Sequence, residues 1–199
     1  MNERRLIIAI LLIVLIGPQL VGAMTSADKW ARYQVGSGSL SCEFPSEPQQ
    51  ETKTTPGLPG KIYLCTCHDA QMNTYGAMFM GDVGVNLDKL SPAQLDDFYK
   101  ATAVGLKQGM QETLGKLEST FEVTETAEKQ VKFVGSTGRE KDYTVGPAKG
   151  IVRMGVSGHA MFMGFATITS DVPDKVVEEF FASFQLSKGA GSPGASASR

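Results

Sequence analysis

The chain has 199 residues, a formal charge of −2, 42% apolar residues and 20% charged residues. That is the composition of a globular protein, and it excludes a disordered or fibrous one. With 19 basic against 21 acidic residues there is no electrostatic reason to expect nucleic acid as a partner, and three cysteines are too few for a disulfide scaffold.

Residues 1–23 are organised differently from the rest. Arg4 and Arg5 precede an apolar run from Leu6 to Gly17, Pro18 and Gln19 break it, and Val21-Gly22-Ala23 presents small residues for cleavage. This is the layout of a secretory signal peptide cut after Ala23. The run is shorter than the roughly 20 residues that span a bilayer. An uncleaved signal anchor over Leu6 to Val21 is the alternative, and it is the only membrane attachment the sequence suggests. Either way the remainder is expected outside the cytoplasm, in the periplasm or beyond the cell. Residues 24–29 read as a flexible lead, 30–188 as one domain, and 189–199 (GAGSPGASASR) as a disordered tail unable to bury apolar surface.

Within the domain, Ser39 to Phe44 alternates as a half-buried strand ended by Pro45. Gln49 to Thr55 is polar and suits a short edge strand. Pro56 to Gly60 is a turn, Lys61 to His68 the next strand, and residues 73–82 hold another, with a hairpin around Ala70 to Asn73. Ser91, Pro92 and Gln94 form a capping box with proline at the first helical position. Leu95, Phe98, Tyr99, Thr102, Leu106, Met110, Leu114 and Leu117 then give one apolar helical stripe. Gly105, Gly109 and Gly115 weaken this helix and permit close packing on a sheet. Thr120 to Val123 begins a run of strands continued by Lys129 to Val134, Arg139 to Val145, Gly150 to Val156 and Ala160 to Thr169, with glycine-rich turns between them. Pro173 to Phe184 is a last helix, with Val176, Val177, Phe180, Phe181 and Phe184 on one face and Asp171 or Asp174 as its cap. Tight turns between consecutive strands mean an antiparallel sheet. The pattern predicts an α+β sandwich in which two helices cover a single antiparallel sheet.

The order of several short motifs resembles the PsbP-like superfamily, in particular its small exported proteins from bacteria such as planctomycetes. These motifs are Trp30 and Tyr33, the Phe44-Pro45 segment with Pro48, the Gly135 to Glu140 stretch with Gly138 and Arg139, and the closing Ser183, Phe184 and Leu186. The resemblance spans roughly residues 30–188. It implies an antiparallel sheet flanked by helices, and binding or assembly work without catalysis. Photosynthetic members bind a membrane complex on its lumenal side. No calcium, chloride or manganese site is carried over from them.

Chemistry has few places to reside. Cys65 and Cys67 lie two apart on one strand and share a face, and Cys42 faces inward with Leu40 and Phe44. Cys42 bridged to Cys65 or Cys67, or three buried free thiols, both fit an oxidising compartment. Cys65-Thr66-Cys67-His68 with Cys42 would supply soft metal or redox ligands, but His68 faces away from Cys67 on a regular strand. Met78 with Met80 and Met161 with Met163 suit copper(I) or an irregular core. Ser157 and His159, with Asp171 downstream, lack the Gly-x-Ser-x-Gly elbow of a hydrolase, so His159 reads as a turn histidine. Arg139, Glu140, Lys141 and Asp142 alternate in sign, which suits cross-strand pairing on a solvated face, with Arg139 as the candidate anchor for a partner. No catalytic residue and no cofactor are expected. The expected role is binding an unidentified protein or membrane-associated assembly through a sheet edge or loop rim, and the rival is the thiol or metal module.

Overall fold

The computed structural model describes residues 30–187, apart from Ser37, Pro56, residues 117–120 and residues 170–171. The expected signal and flexible segments, the tail, Leu117 and Asp171 lie outside the described residues.

Strand β1 (Ala31–Val35) pairs with β2 (Leu40–Phe44). After the Pro45–Pro48 bend come β3 (Gln49–Thr54), β4 (Lys61–His68) and β5 (Thr74–Met80). A short 3-10 turn (Leu87–Lys89) leads into helix α1 (Pro92–Lys116). Four long strands follow, β6 (Val123–Phe133), β7 (Ser136–Val145), β8 (Ala148–Ser157) and β9 (Ala160–Ile168). Helix α2 (Asp174–Ala182) and the two-residue β10 (Gln185–Leu186) close the fold. The large sheet has order β3-β4-β5-β9-β8-β7-β6 and is antiparallel throughout. A second, three-stranded sheet has order β1-β2-β10. The α+β class and the two helices are as the pattern predicts, but the single sheet becomes two. The reason is coverage. Nine residues of α2 reach only about 14 Å, whereas seven strands extend about 29 Å across. The small sheet covers what α2 leaves bare.

Strand alternation sorts the core into two halves. On the α2 side Leu40, Cys42 and Phe44 of the small sheet meet Cys65, Cys67, Tyr75, Phe79 and Phe162 of the large one, with Phe180, Phe181 and Phe184 between. On the α1 side Ile62, Leu64, Met78, Met80, Met154, Met161 and Met163 pack beneath Tyr99, Ala103 and Leu106. The Met-x-Met pairs are thus buried core filling, where flexible thioethers match an uneven surface. A Cβ on Gly164 would lie 2.7 Å from the Phe184 ring, so the aromatic cover sits on bare backbone.

Both helix starts were anticipated, and one cap differs. The Ser91 backbone N–H donates to Gln94 Oε1 at 3.0 Å and the Gln94 N–H to Ser91 Oγ at 3.3 Å, the reciprocal box. Helix α2 starts after Pro173 with no side-chain cap, and Asp174 is its first residue rather than its cap. Its end comes at Ala182 because Ser183 Oγ donates to the Phe180 carbonyl at 2.7 Å. Arg32 of β1 then donates to the Ser183 carbonyl at 2.8 Å, a cation at the negative end of the helix. Expected separately, the segments from Thr120 to Val123 and Lys129 to Val134 are, where described, one edge strand with a bulge between Glu125 and Ala127.

Candidate functional site

The four charged residues of β7 come first, because alternation sends them to opposite faces. Arg139 and Lys141 point toward α1, Glu140 toward α2. The bulge in β6 brings Glu125 and Glu128 to the α1 face together, and both accept from Lys141 Nζ, at 2.7 and 2.8 Å. Arg139 bonds Asp96 of α1 at 3.0 Å, lies 3.6 Å from Glu128, and sits 5.5 Å from the Tyr99 ring centroid. Hydrogen bonds from Lys100 and Arg139 hold the Asp96 carboxyl below its usual range. On the other face Glu140 accepts from Arg153 of β8 and from Lys129 of β6 at 2.6 Å. Arg153 also reaches Glu178 of α2 at 2.6 Å and lies 4.4 Å from the Phe181 ring centroid.

This corrects one expectation. The face is not solvated: Glu140 is 3% exposed and Lys141 4%, because each helix covers one side of the strand. Arg139 is half-buried and engaged with Asp96 and Glu128, contacts that a partner binding there would have to share. Burial raises the Glu140 carboxyl, but the bonds from Lys129 and Arg153 outweigh it and the net shift is downward.

Cys42, Cys65 and Cys67 are all buried free thiols, so the structure holds no Cys42–Cys65 bridge. They lie where the small sheet crosses β4. The Gly36 turn is pressed onto the Tyr63 ring, and beyond β2 Ser46 Oγ donates to the His68 carbonyl at 3.1 Å. Burial pushes Cys65 and Cys67 up to about 11, with hydrogen bonds from Gly36 and Ser46 pulling the other way. Cys42 is raised further, by burial first and then by the neighbouring Cys65. Such thiols are poor nucleophiles at neutral pH. His68 does not join them: its Nδ1 pairs with Thr74 Oγ1 at 2.9 Å. Among the described residues no group of three or more His, Cys, Asp or Glu is placed to hold a metal ion. His159 lies in the β8–β9 turn with its Nδ1 3.6 Å from Asp82 Oδ1.

What the sequence did not single out is one end of the large sheet. Register brings four segments together there: the β4–β5 turn at residues 69–73, the end of β9, the β7–β8 turn and the start of β6. On the α2 side of this end lies a groove of about 450 Å³. Its lining is mixed: Ile168 and Val172 stand with Lys149, Thr169 and Asp174, while Ile151 and Val177 are already buried in the core. Neither rim charge has an ion-pair partner among the described residues. At the same end of the sheet Met72 is 62% exposed and Phe121 48%. Met72 holds a left-handed backbone, φ 64°. The Asp69 carboxylate secures that turn, accepting from the backbone of Gln71 at 2.8 Å and of Asn73 at 2.9 Å. The buried Asn73 side chain in turn accepts from the Thr169 backbone at 2.9 Å, tying the turn to the groove wall. Trp30, the one tryptophan of the chain, lies 5.1 Å from Tyr75 and 6.0 Å from Phe180 at the same end. An apolar Met72 in a polar turn was the sequence signal available; nothing marked Lys149.

No protein-family model matches the chain, and no curated protein matches it. Among solved structures it is similar to cyanobacterial PsbP (CyanoP) from Synechocystis sp. PCC 6803, with a TM-score of 0.51 and 13% identity, covering 86% of this chain and 100% of that one. A crystal structure from Bacteroides thetaiotaomicron VPI-5482 is similar at a TM-score of 0.42 and 12% identity, covering 79% of this chain and 48% of that one. At such identities the likeness is one of fold. The chain has a PsbP-like α+β fold. Among the described residues no helix is long and apolar enough to cross a membrane.

Proposed function

We propose that this is an exported, non-catalytic binding or assembly protein acting outside the cytoplasm, akin to the small exported planctomycete-type proteins of the PsbP-like superfamily. Its work is to hold a protein partner, alone or within a membrane-associated assembly, at the grooved end of the large sheet. The observation carrying this reading is the contrast between the two kinds of surface. Arg139, Glu140, Lys141 and Arg153 are turned into internal ion pairs, while Met72 and Phe121 stay exposed at the end of the large sheet that also carries an open groove. Large apolar side chains left exposed at one end of a sheet, with an opening at that end, support a binding surface there. The Arg4-Arg5 and Leu6 to Gly17 layout supports export through a signal peptide.

Two measurements test it. N-terminal sequencing of the chain recovered from its native cells should find Met24 first and the protein in the envelope or medium; a full-length cytoplasmic chain would overturn export. Cross-linked affinity capture with the full chain should recover a specific envelope protein. Recovery of a tightly bound small molecule with no protein partner would overturn the assembly role.

A further inference from the structure

We infer that β3 is a self-association edge: two copies of the chain pair antiparallel through residues 50–54 about a two-fold axis at Thr52, joining their large sheets into one. This goes beyond the binding role proposed above and uses another part of the fold, since β4 and β5 stand between β3 and β9. The large sheet ends in two edge strands, β3 and β6. The outer side of an edge strand presents backbone N–H and C=O groups that a strand from a second chain can take up. In β6 the bulge between Glu125 and Ala127 works against such pairing. Strand β3 instead pairs with β4 in unbroken register over six residues, and Gln50, Thr52 and Thr54 are exposed along it. Gln50 Nε2 donates to the Gln34 carbonyl of β1 at 3.4 Å, which ties the strand to the small sheet behind it.

The charges of β3 choose the partner and the register. Glu51 and Lys53 oppose Leu64 and Ile62 of β4, so both lie on the α1 face, with Lys53 Nζ 3.0 Å from Glu51 Oε2. Residues directly opposite in an antiparallel pair share a face. A two-fold axis at Thr52 therefore sets the Glu51 of each copy against the Lys53 of the other, and Thr52 against Thr52 on the opposite face. Moving the axis to Glu51 would set Glu51 against Glu51, and moving it to Lys53 would set Lys53 against Lys53. Like charges directly opposite are destabilising, so of these three registers only the one at Thr52 is favoured. An edge lysine by itself deters pairing, because the arriving strand buries it. Here the Lys53 ammonium makes no hydrogen bond among the described residues, and a second copy brings it a carboxylate. An unrelated extended segment would need an acidic and a basic residue at the same spacing. A second copy has them by symmetry, and the two-fold interface closes at a dimer.

Sedimentation equilibrium of the full chain should show a dimer whose share grows with concentration. Glu51→Lys alone and Lys53→Glu alone each turn two attractive cross-strand pairs into two repulsive ones, and each should weaken the dimer about tenfold or more. Mixed together, the two variants should form a heterodimer at about the wild-type affinity, since one then carries two glutamates and the other two lysines. Both changes in a single chain should restore the homodimer. Thr52→Cys should cross-link two copies under oxidised glutathione, whereas Thr54→Cys should not, because only position 52 meets itself within disulfide reach of about 7 Å. If either single charge variant fails to fold, the double exchange and the Thr52→Cys cross-link decide the matter. A chain that stays monomeric up to about 1 mM overturns the inference. So does a dimer indifferent to both single charge changes, or cross-linking as efficient through Thr54→Cys as through Thr52→Cys.

Discussion

Replacing Arg153 by methionine removes the cation that Glu140 meets within the sheet while preserving most of the aliphatic contact with Phe181. Glu140 stays covered, with Lys129 as its remaining partner at 2.6 Å. The side chain of Lys129 is 62% exposed and cannot follow the carboxylate inward. Removing one member of a buried pair costs about 3–5 kcal/mol. The surviving lysine places the expected loss near the lower end, about 3 kcal/mol, or a fall in Tm of about 6–12 °C for a domain of this size. Glu178 is a control, since its side chain is 60% exposed and Glu178→Gln should cost under about 1 kcal/mol. Adding Glu140→Leu to the Arg153→Met chain should recover all but about 1 kcal/mol, because an apolar pair of similar size needs no counter-charge. The pH dependence has a definite sign. Glu140 is held below its ordinary value of 4.5 in the folded chain. Its ion-pair contribution is therefore present above that value and is lost as pH falls through the lowered folded one. The penalty of Arg153→Met should be full at neutral pH and shrink in acid, where Glu140 is protonated in both chains. Denaturant unfolding at neutral and acidic pH measures it. A penalty below about 1 kcal/mol, or one equal at both pH values, refutes the reasoning.

Ser91→Ala removes one arm of the capping box and should cost about 1 kcal/mol in thermal unfolding. Gly146→Ala forces a left-handed alanine against the Phe121 ring and should cost more than about 1 kcal/mol, part of it returned by Phe121→Ala. Thiol titration of the native chain at mildly alkaline pH should be slow, because Cys65 and Cys67 are raised to about 11 by burial and Cys42 beyond them. In denaturant without reductant all three cysteines should react; a single reactive thiol would reveal a bridge.

The strands buried on both faces were legible because alternation and turn residues agree there. Strand β4 runs from Lys61 to His68 as read, bounded by Gly60 and by the Asp69 turn. Helix α1 declared itself through Ser91, Pro92 and Gln94. Strand β1 was less legible: Ala31, Tyr33 and Val35 alternate with Arg32 and Gln34, but the run is only five residues long and only Val35 is buried. Strand β6 was read in pieces for a related reason. Its ends, Val123 and Phe133, are buried while the middle is polar and exposed, as suits a charged and bulged edge that resists pairing with other chains. Its ladder to β7 is made of backbone hydrogen bonds, which leave no trace in side-chain pattern. The charges of β7 were assigned correctly to opposite faces but wrongly to water. Alternating sign reads the same whether a strand meets solvent or a helix, and the covering residues Asp96 and Glu178 lie 43 and 25 positions from the arginines they pair.

The two ends of the large sheet show why the groove stands out. At the far end the segment after β5 folds back over the turns and takes up their backbone groups. Val83 N–H donates to the His159 carbonyl at 3.0 Å, Leu87 N–H to the Gly158 carbonyl at 2.7 Å, and Gly158 N–H to the Asp88 carboxylate at 2.8 Å. Gly60 N–H meets the Asp82 carbonyl at 3.0 Å. That end is closed by the chain itself. At the near end, among the described residues, the Asp69–Asn73–Thr169 link and the bonds of Gln111 to Phe121 and Val123 brace the segments without filling the groove. An opening of about 450 Å³ that the fold leaves unfilled is where the proposed partner would find room. The Asp69-braced turn fixes one side of that end in place, which would lower the ordering cost for the proposed partner.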